Sequence, residues 1–252
     1  SAVSYLYYAD RIYQINLAIA GIAIGTVLLP NLSKHVEHKN IKKINFIQNK
    51  SLELSLFLSL PATFALLISS EQITSALFGY GSFDYLSVKN SADALYFFAI
   101  GLPAFALIKV FSSYIFARHN TKTPFIISIY SVVINIFISL YFFRDLGFII
   151  IPIATTISSW FNALILFVYL IHKKYFFFNK SLIFAIFKIL ISSLITSFLF
   201  YQLIQYSGHL LDYESEYKLL TILLLVTVTF IIYILISILT KAFKISDIKL
   251  KY

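Results

Sequence analysis

Two opposite charges, Asp10 and Arg11, lie side by side inside an otherwise apolar stretch, Ser1–Pro30 (SAVSYLYYADRIYQINLAIAGIAIGTVLLP). A guanidinium offers a planar fork of donors that fits two oxygens of one phosphate, and a neighbouring carboxylate can hold that fork or exchange partners with it. At the helical period Ser4, Tyr7, Arg11, Gln14, Ala18, Gly21 and Gly25 fall on one polar-to-small stripe, with Leu6, Tyr13, Leu17, Ile24 and Leu28 opposite. Ser4, Tyr7 and Gln14 add neutral hydrogen-bonding groups beside the charges. Gly21 and Gly25 form a GxxxG pair, which lets another backbone approach. Tyr5–Leu29, at about 1.5 Å per residue, is long enough to cross a hydrocarbon layer of roughly 30 Å, which makes both charges intramembrane. A charge at the centre of a span costs about 2.5–3.5 kcal/mol on insertion scales, so such residues face a polar cavity by default. The alternative is mutual neutralisation near the membrane surface.

The other residues able to do chemistry are few. Lys109 sits well inside a later apolar run, about ten residues from its basic end at Arg118, too far for a four-carbon stem to reach the headgroups with ease. Asn135 and Ser139, one turn apart in one run, and Thr155 in the next, with Thr156, Ser158, Ser159 and Asn162, can bond between helices or hold a sodium ion. The five histidines lie in connections, and His35 and His38 lack acidic companions for a metal site. There is no cysteine, no HExxH motif, no carboxylate pair within one span and no Ser–His constellation, so no metal or cofactor and no enzymatic chemistry are expected.

The elements that must position these residues are membrane helices. The chain is 60% hydrophobic and 12% charged, with mean hydropathy +0.86, outside the balance of a soluble domain. The pattern predicts an all-α, polytopic transmembrane bundle of seven spans: Tyr5–Leu29, Leu52–Ser69, Ala92–Phe116, Pro124–Phe143, Gly147–Ile171, Leu182–Tyr206 and Lys218–Thr240. Pro61 is expected to kink the second. The net charge of +9 does not point to nucleic acid, because the bases sit at the ends of apolar runs. They crowd into Asn31–Ser51, Arg118–Thr123, His172–Ser181 and the tail, whereas Ser70–Lys89 and the other intervening connections carry most of the acids. The positive-inside rule then places the C-terminus in the cytoplasm and Ser1 outside. An outside start without a signal sequence, and the absence of any methionine, lead us to expect a piece of a longer chain.

The segment YADRIYQINLAIAGIAIGTVLLPNLSKH, followed by LFGYGSFD, GLPAFALIKVF, FARHNTKTPF and ISSWFNALIL, resembles the C-terminal half of the MurJ (MviN) lipid II flippases of the multidrug/oligosaccharidyl-lipid/polysaccharide exporter superfamily. Asn120 stands where that family usually has Asp. The resemblance implies spans eight to fourteen of fourteen. Residues 1–173 would be five spans of the C-terminal lobe, lacking its first, and residues 174–252 a further two-helix segment forming a hydrophobic groove, with a cytoplasmic tail. It also implies a multi-pass protein of the bacterial inner membrane that moves the undecaprenyl-diphosphate-linked peptidoglycan precursor, lipid II, between leaflets by alternating access. Partners would be lipid II, the bilayer and the N-terminal lobe. The expected substrate-binding set is Arg11, Asp10, Gln14, Tyr7, Ser4 and Lys109. A sodium ion at Asn135, Ser139 and Thr155, completed by a carboxylate from elsewhere, or the membrane potential, would drive transport. A related exporter of another lipid-linked oligosaccharide, or an enzyme acting on lipid phosphates, are the alternatives.

Overall fold

In a computed structural model the backbone of residues 1–242 is described, with side chains at all of these except 16 and 19–27. The long elements are α1 (Ala2–Glu37), α2 (Ile41–Phe78), α3 (Tyr85–Phe116), α4 (Lys122–Leu146), α5 (Ile150–His172), α6 (Lys180–Tyr206) and α8 (Lys218–Leu239), with a single-turn α7 (Gly208–Leu211). No strand occurs among the described residues. Helices α2, α3, α6 and α8 are each long and apolar enough to cross a membrane, and so is the Lys122–His172 stretch that α4 and α5 share. Gly147, at φ 61° and followed by a single 3-10 turn, folds that stretch into an antiparallel hairpin. With the 36-residue α1 the bundle has the seven long helices that hydropathy predicts. The Gly21–Gly25 pair and Ile24 lie outside the described side chains.

The central helix is α3. It packs on α1, α2 and α5, while α6 and α8 lie against the far side of α2. One apolar cluster, around Leu32, Leu52, Val110, Tyr114, Leu166 and Phe176, gathers α1, α2, α3, α5 and the start of α6; a second, around Ala9, Tyr13, Leu66, Leu95 and Leu102, joins α1, α2 and α3 at the other end. Phe57, Ile189 and Tyr233 form a third cluster that docks α6 and α8 on α2.

Two predicted connections are shorter than expected. Asn31–Ser51, read as a polar and partly helical connection, is helical nearly throughout: α1 continues to Glu37, α2 starts at Ile41, and a three-residue turn joins them. The polar residues there instead serve helix ends and buried contacts. Asn49 donates to the Phe177 carbonyl (2.9 Å) and accepts from the Asn179 N–H (3.1 Å), while the Asn45 amide reaches Asn179 Oδ1 (3.1 Å), tying α2 to the entry of α6. The fully buried Tyr114 hydroxyl donates to the Gln48 carbonyl. Ser70–Lys89 likewise shrinks to Gly79–Asp84, with Asp84 capping α3 through the Ser87 N–H (2.9 Å). Hydrogen bonding from the Ser87 hydroxyl, and then from its N–H, holds the Asp84 carboxyl below its usual range.

The kink expected at Pro61 falls elsewhere. α2 loses helical dihedrals at Ser69 (φ −126°, ψ 24°), whose hydroxyl bonds back to the Ala65 carbonyl (2.7 Å). Pro61 has no N–H for the Phe57 carbonyl, and the buried Tyr233 hydroxyl of α8 donates to that carbonyl instead (2.8 Å). Tyr233→Phe should therefore weaken the docking of α8 by about 1–2 kcal/mol, leaving a buried carbonyl unpaired. A lower midpoint in a thermal or denaturant melt would register it, and an unchanged midpoint would count against this role.

Four helices that end on the lysine-rich side close alike. Lys39, His119, Lys174 and Lys241 take left-handed dihedrals (φ 51–57°), and the next residue's N–H reaches back five positions: Asn40 to His35, Asn120 to Ile115, Tyr175 to Leu170 and Ala242 to Ser237. Glycine usually fills this position. At three of the four a lysine accepts the backbone cost of about 1 kcal/mol in exchange for a cation at the negative end of the helix dipole.

Candidate functional site: the polar face of the first helix

α1 keeps the two faces that the helical period predicts wherever its side chains are described. Tyr13 is buried, stacked between Phe98 and Phe105 of α3 at ring-centroid distances of 5.5 and 5.4 Å, and Leu28 is buried in the lysine-side core. Turned away from α3, Tyr7, Arg11, Gln14 and Ala18 are exposed, and Ser4 and Asp10 half-exposed.

Within that face the partners differ from the simplest reading. Asp10 and Arg11 do not form an ion pair; among the described residues the one such pair joins Lys50 to Glu53. Asp10 accepts a hydrogen bond from the Gln14 amide one turn on. The Arg11 guanidinium lies over the Tyr7 ring, 4.8 Å from its centroid, and the residue is exposed. Ser4 shares a hydroxyl contact with Ser1 (3.0 Å). Arg11 is thus held by a ring on its own helix rather than neutralised by its neighbour, the state in which it can meet an anion from outside the chain.

Lys109 is also exposed, one turn beyond Phe105 on the flank of α3 that packs on α1. It is not brought into contact with Arg11. Tyr13 sits level with the midpoint of Phe98 and Phe105, so Lys109 lies roughly 10 Å nearer the lysine-rich end.

The α4–α5 hydroxyls do come together. The Asn135 amide donates to Thr155 Oγ1 (3.1 Å) and Ser158 Oγ (3.3 Å), and the Thr155 hydroxyl bonds its own Ile151 carbonyl (2.8 Å). Ser139, a turn away, is a buried hydroxyl with no partner. With the amide nitrogen facing them, these groups work as interhelical hydrogen bonds, each worth about 0.6 kcal/mol on average. No cluster of three His, Cys, Asp or Glu able to hold a metal occurs among the described residues.

The FARHNTKTPF segment is structural in detail. The Asn120 side chain accepts the Thr123 N–H (3.1 Å), capping the start of α4, and donates to the Tyr169 hydroxyl (3.0 Å). Arg118 donates to the Tyr175 carbonyl (3.0 Å) and lies over that ring (4.4 Å), clamping the turn between α5 and α6. Trp160 donates its indole N–H to the Ile100 carbonyl (3.1 Å), joining α5 to α3.

Lys218 reads in the sequence only as the start of the last span and a topological charge. It is buried at the start of α8, donating to the carbonyls of Gly79 (2.6 Å) and Tyr213 (2.5 Å) between the rings of Tyr80 and Tyr213. The signal available was the aromatic pair, Tyr80 and Tyr213, flanking the two short connections, but nothing in the sequence says which lysine they enclose.

Seven long apolar helices built on the central α3, with a charged face on the first, define a polytopic helical membrane protein. The sequence matches the family profile "Lipid II flippase MurJ" over residues 1–222. It is 44% identical over 172 residues to a probable lipid II flippase MurJ of Rhizobium meliloti (68% of this chain, 32% of that protein). It is 40% identical over 168 residues to a probable one of Rickettsia prowazekii (67% and 33%), and 31% identical to the lipid II flippase MurJ of Burkholderia cenocepacia (66% and 32%). The fold superposes on a solved lipid II flippase MurJ in an inward closed conformation with a TM-score of 0.76 at 26% identity, covering 95% of this chain and 47% of that one. The chain belongs to the lipid II flippase MurJ family. Its matches span about a third of the length of these curated relatives.

Proposed function

We propose that the protein carrying this chain moves lipid II across the bacterial inner membrane, and that the exposed face of α1 forms one wall of the path taken by its diphosphate. The observation that carries this is Arg11: a permanent cation within an apolar helix, exposed and without an ion-pair partner among the described residues. A diphosphate bridge needs such a delocalised, bidentate donor. Gln14 holds Asp10 in reserve, so that the carboxylate receives the guanidinium when the substrate leaves. Tyr7 keeps Arg11 extended, Ser4 offers a hydroxyl to the sugar, and Lys109 gives a second cation further along. The N-terminal lobe supplies the opposite wall and the second body of alternating access. The α6–α8 pair accommodates the polyprenyl tail, and the lysine-rich ends face the cytoplasm. The membrane potential drives the cycle, since the Asn135 amide and the Thr155 hydroxyl expected to hold a sodium ion are committed to helix hydrogen bonds.

The test is transport by the full-length protein in proteoliposomes, followed as protection of labelled lipid II from an external reagent. Protein-dependent movement of lipid II is expected. No movement would overturn the reading, and movement of a different polyprenyl-linked sugar in its place would reassign the substrate.

A further inference from the structure

On the side of α2 remote from the substrate face, the lysine-rich ends of α2, α6 and α8 enclose a cleft of about 450 Å³. Each of the three walls sends one lysine to it: Lys50 from α2, Lys188 from α6 and Lys241 from the end of α8. Lys50 is paired with Glu53, itself part of the lining, so that its charge is already answered. Lys188 and Lys241 have no carboxylate in ion-pair reach among the described residues. Lys188 is half-buried, two turns into α6, where a lone ammonium would ordinarily extend to water. Lys241 is carried on left-handed backbone, fixed by the Ala242 N–H bond to the Ser237 carbonyl, so the turn that ends α8 sets where its side chain departs.

The rest of the lining has two characters. Asn49 and Asn179, locked together by hydrogen bonds, give the cleft a polar wall. Phe46 and Phe184 are 59% and 67% exposed at its edge, presenting aromatic surface where α2 and α6 are apolar on the outside. Two unanswered cations beside neutral amides suit a phosphate ester. The aromatic rim suits the acyl chains attached to one and would gain nothing from a free ion.

We propose that this cleft binds the headgroup phosphate of an anionic phospholipid from the adjoining leaflet, with Lys188 and Lys241 as its charge partners and Phe46 and Phe184 against its acyl chains. A lipid there bridges three helices, one of which, α8, rests on α2 chiefly through the Phe57–Tyr233 contact at this end. The site lies away from the α1 face proposed for the diphosphate, and its occupancy is read without any transport.

The full-length protein is purified in detergent, titrated with phosphatidylglycerol or phosphatidylcholine, and the retained lipid counted by native mass spectrometry. One phosphatidylglycerol should be held in preference to phosphatidylcholine. Lys188→Gln with Lys241→Gln should lose that preference by roughly thirtyfold, about a fivefold loss for each lysine. The Lys188→Arg, Lys241→Arg pair should keep it, showing that charge rather than folding is at issue. Lys173→Gln with Lys174→Gln removes equal charge from the same end away from the cleft and should also keep it. Equal retention by the wild type and the glutamine pair overturns the site. So does an equal loss in the Lys173, Lys174 control. Displacement of the lipid by excess inorganic phosphate would reassign the cleft to free phosphate.

Discussion

Arg11→Ala is expected to lower lipid II transport by about a hundredfold while leaving the amount and the thermal midpoint of the full-length protein unchanged. A desolvated, charge-assisted guanidinium–phosphate interaction is worth up to about 3 kcal/mol, which converts to roughly that factor. The fold should not notice the change. Arg11 is exposed and its described contact is the ring of Tyr7 on its own helix, so truncation should stay within about 0.5 kcal/mol. Arg11→Lys keeps a point charge but loses the fork, and should fall between the two. Growth of cells depending on the variant, alongside transport in proteoliposomes, separates the outcomes. A variant that transports normally would remove Arg11 from the path, and one that fails to accumulate would show that the residue serves folding instead.

The largest structural effect should come from Gly101. A Cβ there would stand 2.9 Å from Thr156 Oγ1 and 3.4 Å from the Thr156 Cα, where α5 packs against the central helix. The same contact carries the Thr156 hydrogen bond to the Phe97 carbonyl (2.7 Å), with Trp160 bonding the Ile100 carbonyl just beyond. Gly101→Leu must therefore push the two backbones apart. Overpacking costs about 1–3 kcal/mol, and the broken Thr156 bond adds about 1 kcal/mol. We expect a loss of about 3–4 kcal/mol, read as a sharply lower melting midpoint and poor recovery from the membrane. Gly101→Ala, which asks only a few tenths of an ångström of Thr156, should cost about 1–2 kcal/mol. Leucine tolerated without a shift in midpoint would mean that the α3–α5 seam is looser than it is drawn.

Helix number, order and most boundaries were legible in the sequence, because an apolar run of some twenty residues has few other fates. Lys218 begins the last helix where hydropathy places it, and Phe116 ends α3 as read. The α1 stripe was legible for the same reason, since the period of 3.6 assigns Tyr13 and Arg11 to opposite faces whatever surrounds them. What hydropathy hid were polar residues inside helices. Asn45, Gln48 and Asn49 look like loop residues until a second chain segment, Phe177–Asn179, supplies their partners. Pro61 looks like a kink until Tyr233, far along the chain, donates to the carbonyl that it frees. Lys218 counts as a topological charge until two carbonyls and two rings close around it. Each of these depends on a contact between distant residues, which a linear pattern does not encode. Pairing within the candidate site was misread for a different reason. Asp10 and Arg11, adjacent in sequence, leave the helix about 100° apart, so each finds its partner one turn away, at Gln14 and Tyr7.

The account stands on the face of α1 meeting water inside the membrane, and cysteine labelling tests that most directly. This chain has no cysteine of its own. In a full-length background free of other thiols, Ala18→Cys, on the Arg11 stripe, is compared with Val133→Cys, on the exposed apolar side of α4. Ala18→Cys should react with a charged, membrane-impermeant thiol reagent and be shielded by added lipid II, while Val133→Cys stays unlabelled. Ala18→Cys as silent as Val133→Cys would place Arg11 against acyl chains and contradict the account.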